Sequence, residues 1–197
     1  MGGCSDVRGE LGVPDQGETN ACSGHVCAAL CAAGGVSGAD ADAIYLQALD
    51  GRPDDGVPLA DALDSVATRG VPLTSGTTAQ APRFARVPDA PPLIKRVLDS
   101  GRPVGAVLAL TPRVQGFLAT PEHDHYVLRD AGRQPNRSDA GHAVLLTGHS
   151  DAVGGGAFAA RSSWGAQWGW DGHFWLPYSQ LPLLEQLHTV SRGTGWT

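Results

Sequence analysis

The sequence is short of most features that announce a function. It has one lysine, Lys95, and its arginines are scattered rather than clustered. A surface that holds nucleic acid needs a basic patch or stripe, and the net charge here is −6. No nucleic-acid partner is expected. No run of about 18 apolar residues is present to span a bilayer, so no membrane association is expected either. The opening "MGGCSDVRGELGVP" has no basic segment followed by an apolar one. That argues against a secretory signal and for the cytoplasm, with delivery as a secreted effector the alternative. "GGC" lacks the apolar run of a lipoprotein signal, and Asp6 stands where myristoylation would want Ser or Thr. Cysteines are few, at positions 4, 22, 27 and 31. No CxxC or HxxxH pairing supplies a zinc ligand set, so neither metal nor cofactor is expected. Cys27 and Cys31 are four apart on one predicted helix, a poor geometry for a disulfide. All four are read as free thiols, which fits a reducing compartment.

What is present reads as an ordinary globular chain of 197 residues, with 42% apolar and 17% charged residues. That length suits one compact unit or two small lobes sharing a cleft. The Ala-rich stretch 22–33 predicts a buried helix stopped by Gly34-Gly35. "SGADADAIYLQALDG" predicts a second helix. "DDGVPLADALDSVATRG" predicts a third, with Pro58 in its first turn and Leu59, Leu63 and Val66 as its apolar stripe. "TSGTTAQAPRFARVPDAPP" reads as a loop and "LIKRVLDSG" as a short helix. Beyond Gly101 the pattern changes. "PVGAVLAL", "HAVLLTGH" and "GAFAARSSW" read as strands, "DGHFWLPYSQL" ends the set, and residues 111–141 read as a long polar stretch. Helices therefore come first, at about 15–100, and strands second, at about 101–190. Together these predict a single domain of α+β class, 1–197, with a cleft between a helical and a β lobe.

The chemistry centres on "DQGETNACSGHVCAAL". A thiol attacks as thiolate, and a helix N-terminus or a nearby His⁺ lowers its pKa. Cys22 opens the predicted helix. His142, in "GHAVLLTGH", stands at the edge of an apolar strand and is the candidate base. "RSSWGAQWGWDGHFWLPY" brings Trp164, Trp168 and Trp170 close together among glycines, material for an apolar wall around a charged pair. His25 is expected to pack in the core or between lobes. His123 and His125 are expected in a solvated loop, and His149 and His173 on strand surfaces.

On these residues the sequence resembles the papain-like cysteine peptidases, short bacterial members in particular. "DQGETNAC" is similar to their segment with Gln six residues before the nucleophile. "GHAVLLTGH" is similar to their His strand, and "SSWGAQWGWDGHFWLP" to their Ser-Trp-Gly run. The order also agrees, although the Cys-to-His spacing, 142 − 22 = 120 residues, is shorter than the roughly 130–150 of the family. The resemblance implies a papain-like fold with an antiparallel, barrel-like β lobe. It implies a peptidase in which Cys22 and His142 form a thiolate–imidazolium pair and peptides are cut through a covalent acyl-enzyme. Gln16 and the Cys22 backbone N–H would hold the oxyanion, and Ser162 would accept from His142 Nδ1–H. Trp164 would cover that contact. Gly56 would pair with the backbone of an extended peptide or protein substrate, and Val57, Pro58 and Ala143 would line the neighbouring pocket.

The sequence also departs from the family. The orienting Asn is Ser162, the aromatic after the nucleophile is Ser23, and Thr19 replaces the Cys of a nearby disulfide. No inhibitory propeptide is recognised, which leaves restraint to a separate inhibitor or a delivery partner. Two other readings share the fold: a weak or inactive homologue that binds peptides, and an acyl transferase that passes the same thioester to an amine.

Overall fold

A computed structural model describes residues 4–6, 12–129 and 141–191. Three helices lead: α1 (Cys22–Ala33), α2 (Ala41–Leu49) and α3 (Leu59–Arg69). Asp40 caps α2 by accepting the Ala43 N–H at 3.0 Å, so an acidic residue satisfies an otherwise orphaned donor. α1 packs so closely on α2 that a Cβ at Gly24 would lie 2.2 Å from the Ala41 carbonyl oxygen. It packs as closely on the sheet, where a Cβ at Gly105 would lie 2.7 Å from Val26 Cγ1. Only glycine fits at these two crossings.

The sheet is antiparallel. Its strands are β1 (Cys4–Asp6), β4 (Arg83–Arg86), β5 (Val104–Ala109), β6 (Gly141–Ser150), β7 (Ala157–Arg161), β8 (His173–Pro177) and β9 (Leu184–Ser191). The order is β4-β9-β5-β6-β7-β8, with β1 on the far end of β6. A small separate ladder joins β2 (Val71–Pro72) and β3 (Thr78–Ala79). The lobe is antiparallel as expected, and among the described residues its pairing runs from β4 at one edge to β8 at the other. Strand alternation sorts its side chains into two cores. Val144 and Leu146 of β6 face a cluster with Leu108, Phe158 and Phe174; Ala143 and Leu145 face the helical cluster with Val26, Leu30 and Leu59.

Several elements differ from the sequence expectation. The loop at 74–92 contains β4, and the sheet continues past residue 181 into β9, its partner. The polar stretch contains α5 (Pro112–Ala119), capped by Thr111, whose hydroxyl accepts the Val114 N–H at 3.2 Å. The remaining helix, α4 (Pro91–Asp99), starts on a proline, where the missing N–H leaves no bond unmade. His149 and His173 are not on strand surfaces. Both are buried, His149 with Nε2 at 2.8 Å from Asp99 Oδ1 and His173 with Nδ1 at 2.6 Å from the Asp171 carbonyl. Cys22, Cys27 and Cys31 are free thiols; the expectation for Cys4 lies outside the described side chains. Among the described residues no helix is long and apolar enough to cross a membrane.

Candidate active site

β7 pairs with β6 only from Leu145 onward, because the chain leaves the sheet after Arg161. The first residues of β6 therefore have backbone groups with no strand to meet on that side. Ala143 uses its N–H to donate to Cys22 Sγ at 3.4 Å. This contact ties the start of α1 to the start of β6, across 121 residues of chain. Cys22 is the first residue of α1, and Ala21 before it supplies no side-chain cap, so the first-turn N–H groups have no side chain across them.

His142 immediately precedes Ala143 and is buried, at 5% exposure. Its ring is stacked on Trp164, with centroids 4.4 Å apart and 21° between planes. Trp168 stands edge-on to Trp164 at 5.0 Å and anchors itself by donating Nε1–H to the Leu118 carbonyl at 3.0 Å. His142 Nε2 lies 3.0 Å from the Ser162 hydroxyl, itself buried behind the ring. The contact runs through Nε2, not through Nδ1 as the sequence suggested. Nε2 is the ring nitrogen farther from the backbone, so a short side chain on the neighbouring segment meets it first.

The segment 14–16 runs antiparallel beside 163–165. Gln16 N–H donates to the Ser163 carbonyl at 2.7 Å, and Gly165 N–H donates to the Pro14 carbonyl at 2.9 Å. That brings Gln16 to the cavity. Its amide is held at both ends: Nε2 donates to the Thr19 carbonyl, and Oε1 accepts from the Ser163 hydroxyl. The sequence reading missed Ser163. The signal was the second Ser of "SSWG", and nothing in a single sequence distinguishes it from the first.

These residues share one cavity of ≈ 610 Å³. Cys22, His142, Gln16 and Trp164 line it, as do Gly56, Val57, Pro58 and Ala143; Ser162 stands behind His142. Leu59, Val107, Ala109 and Leu110 add apolar wall, and Glu185 and Gln186 add polar wall. Gly56 has φ +99°, a conformation open to glycine, and a Cβ there would meet nothing within 4 Å.

Burial acts on both candidate groups. Burial raises the Cys22 thiol, outweighing the N–H groups of Ala143, Ser23 and Cys22 itself, which lower it. Burial pushes His142 down to about 4. Each shift, for its group taken singly, favours the uncharged form. Sγ is hydrogen-bonded to Ala143, not to His142. Cys27, on the next turn but one face round, is inert by comparison: its partner Cys31 and burial both hold its thiol high. Of the other histidines, His25 lies 3.9 Å from Asp42, and His123 and His125 are exposed. Among the described residues no cluster of His, Cys, Asp or Glu could hold a metal ion.

The fold is that of the papain-like cysteine proteases. The chain is similar to xylellain, a cysteine protease from Xylella fastidiosa, with a TM-score of 0.71 at 18% identity, covering 96% of this chain and 86% of that one. It is similar to digestive procathepsin L 3 of Tenebrio molitor larval midgut, with a TM-score of 0.69 at 15% identity over 96% and 69% of the two chains. A Carica candamarcensis cysteine protease in complex with E-64 gives 0.63 at 18% identity over 97% and 99%. No protein-family model and no curated protein matches the sequence.

Proposed function

We propose that the chain acts as one catalytic unit, a cysteine-type peptidase with Cys22 as nucleophile and His142 as proton carrier. The observation that supports it most is the shared cavity in which Cys22 stands beside the His142 strand while Ser162 holds the ring's far nitrogen. With Ser162 accepting from Nε2–H, Nδ1 keeps its lone pair. That lone pair takes the Cys22 proton as Sγ attacks the peptide carbonyl carbon, and the carbonyl π pair moves onto oxygen. The oxyanion is received by the Cys22 backbone N–H and by Gln16 Nε2–H, whose direction Ser163 and Thr19 fix beforehand. On collapse the C–N bond breaks, and His142 returns the proton to the departing amine. Water, deprotonated by the same nitrogen, then cleaves the thioester to release the acid and restore the thiol. Contacts between such groups in free enzymes commonly tighten when substrate arrives.

The substrate is a peptide or protein in extended form, laid along the Gly56 backbone. The wall of Val57, Pro58, Ala143 and Val107 favours an apolar side chain next but one before the cut bond. Treatment with a peptidyl epoxide followed by mass mapping tests the reading, which expects the label on Cys22 alone. Labelling without turnover of any peptide would instead support a peptide-binding homologue. Transfer to an added amine in place of hydrolysis would support the acyl transferase.

A further inference from the structure

Tyr45, Asp54 and Asn20 belong to three different segments and meet at one carboxylate. Tyr45 is on α2, its ring buried at 3% exposure in the helical core. Its hydroxyl donates to Asp54 Oδ1. Asn20, two residues before Cys22, donates Nδ2–H to the same Oδ1 at 3.3 Å and to the Asp54 carbonyl at 3.2 Å. Asp54 is two residues before Gly56, and the Gly56 N–H also acts on the Tyr45 phenol. One side chain thus joins the turn that leads into the nucleophile, the helix behind it and the loop that forms the opposite wall.

Beyond Gly56 the loop is anchored by Val57, which packs into the helical core. The far end is secured by Arg52, whose Nε and Nη2 donate to the Leu49 and Ala48 carbonyls at 3.0 and 2.8 Å. At Gly56 there is no side chain to pack, the backbone is at positive φ, and the space around the missing Cβ is empty. Thr19 stands where the resemblance places a cysteine, so no disulfide braces the turn. Directly across the cleft mouth, the hydrogen bonds to Asp54 tie the segment before Gly56 to the turn before Cys22.

We propose that Asp54, held by Tyr45 and Asn20, is a positioning residue that sets the width of the cleft for an extended peptide. The proposal rests on the peptidase reading above. A wall that binds the peptide backbone equally before and during reaction changes KM and leaves kcat alone. A small reagent that reaches Sγ without touching the wall is indifferent to it.

The test uses Asp54→Ala, Tyr45→Phe, which keeps the buried ring, and Asp54→Asn, which keeps an acceptor oxygen. Four quantities are read: kcat and KM on a fluorogenic peptide, the rate of Cys22 alkylation by iodoacetamide, and the rate of inactivation by a peptidyl epoxide. Asp54→Ala and Tyr45→Phe should raise KM about ten-fold, as for the loss of a charge-assisted hydrogen bond, with kcat within about two-fold. Epoxide inactivation should slow in parallel, iodoacetamide alkylation should be unchanged, and Asp54→Asn should recover most of the loss. Unchanged KM in both variants would overturn the proposal. So would an equal fall in kcat and in iodoacetamide alkylation, which would place the network's role at Cys22 or in the fold at large. If Cys22 of the unsubstituted protein reacts with neither reagent, the peptidase reading fails and this proposal fails with it.

Discussion

At the scale of the residue, the site depends on short polar side chains that hold larger ones in place. Gln16 is directed by Ser163, and His142 by Ser162. Gln16→Ala should lower kcat by about 10²–10³ with little change in KM, the effect of losing one oxyanion donor. Ser163→Ala leaves the donor present but held at one end only, by the Thr19 carbonyl. It should lower kcat by about ten-fold, a loss of roughly 1.4 kcal/mol in positioning. Equal losses in the two variants would mean that Ser163 acts on the reaction by another route. The pH dependence of Cys22 reactivity bears on the protonation of the pair. Iodoacetamide alkylation of Cys22 should rise with pH through the ordinary thiol range and beyond, because burial raises this thiol. A rate already level in acid would show that the ion pair exists before substrate arrives. That Cys22, His142 and Gln16 line one cavity follows the motifs read around each of them in the sequence. Ser163 and Asp54 were not legible there, since a hydroxyl or a loop carboxylate carries no pattern until folding shows what it faces. The choice of Nε2 over Nδ1 was equally hidden, being a matter of which ring nitrogen a neighbouring chain can reach.

At the scale of the element, α1 is the part on which the site is built. Its apolar sequence and the Gly34-Gly35 stop made it readable. Its closeness to α2 and β5 was not, because a glycine in a helix reads as a weakness until its neighbour is known. Gly24→Ala would drive a Cβ to 2.2 Å from the Ala41 carbonyl oxygen, a backbone atom that cannot swing aside. Helix α1 must then shift, and the variant should lose about 1–3 kcal/mol of stability, seen as a lower Tm. An unchanged Tm would show that α2 yields freely. Strands β4 and β9 escaped the sequence reading for a common reason. β4 is a four-residue stretch with an Arg at either end, between Pro-rich segments, and the polar residues of β9 alternate irregularly around a left-handed Gln186, φ 53°. β4 is a strand because β9 pairs with it, and β9 because it lies between β4 and β5, relations between distant segments. The helix α5 was hidden by its polar flanks, although Thr111-Pro112 is a legible start.

At the scale of the whole molecule, the two cores meet at the sheet, and the catalytic candidates lie where helix and strand abut. Burying an imidazole there has a consequence for stability. His142 titrates at about 4 in the folded chain and near 6.5 when unfolded. Between those values the unfolded chain binds more protons, so stability rises with pH through the window and is lost as pH falls toward 4. The full effect is at most ~3 kcal/mol. The raised Cys22 thiol works at the other end: its contribution is present below the ordinary thiol value and is lost as pH rises past it. Melting curves across the acid range should show the first effect, and His142→Asn should remove much of the acid loss; an identical acid dependence in that variant would assign it to other groups. The central claim, that Cys22 is a nucleophile served by His142, is met most directly by measuring peptide hydrolysis and Tm together in Cys22→Ala. The account predicts no detectable turnover at an unchanged Tm, with epoxide labelling lost along with it. Turnover at the unsubstituted rate by a correctly folded Cys22→Ala protein would contradict it.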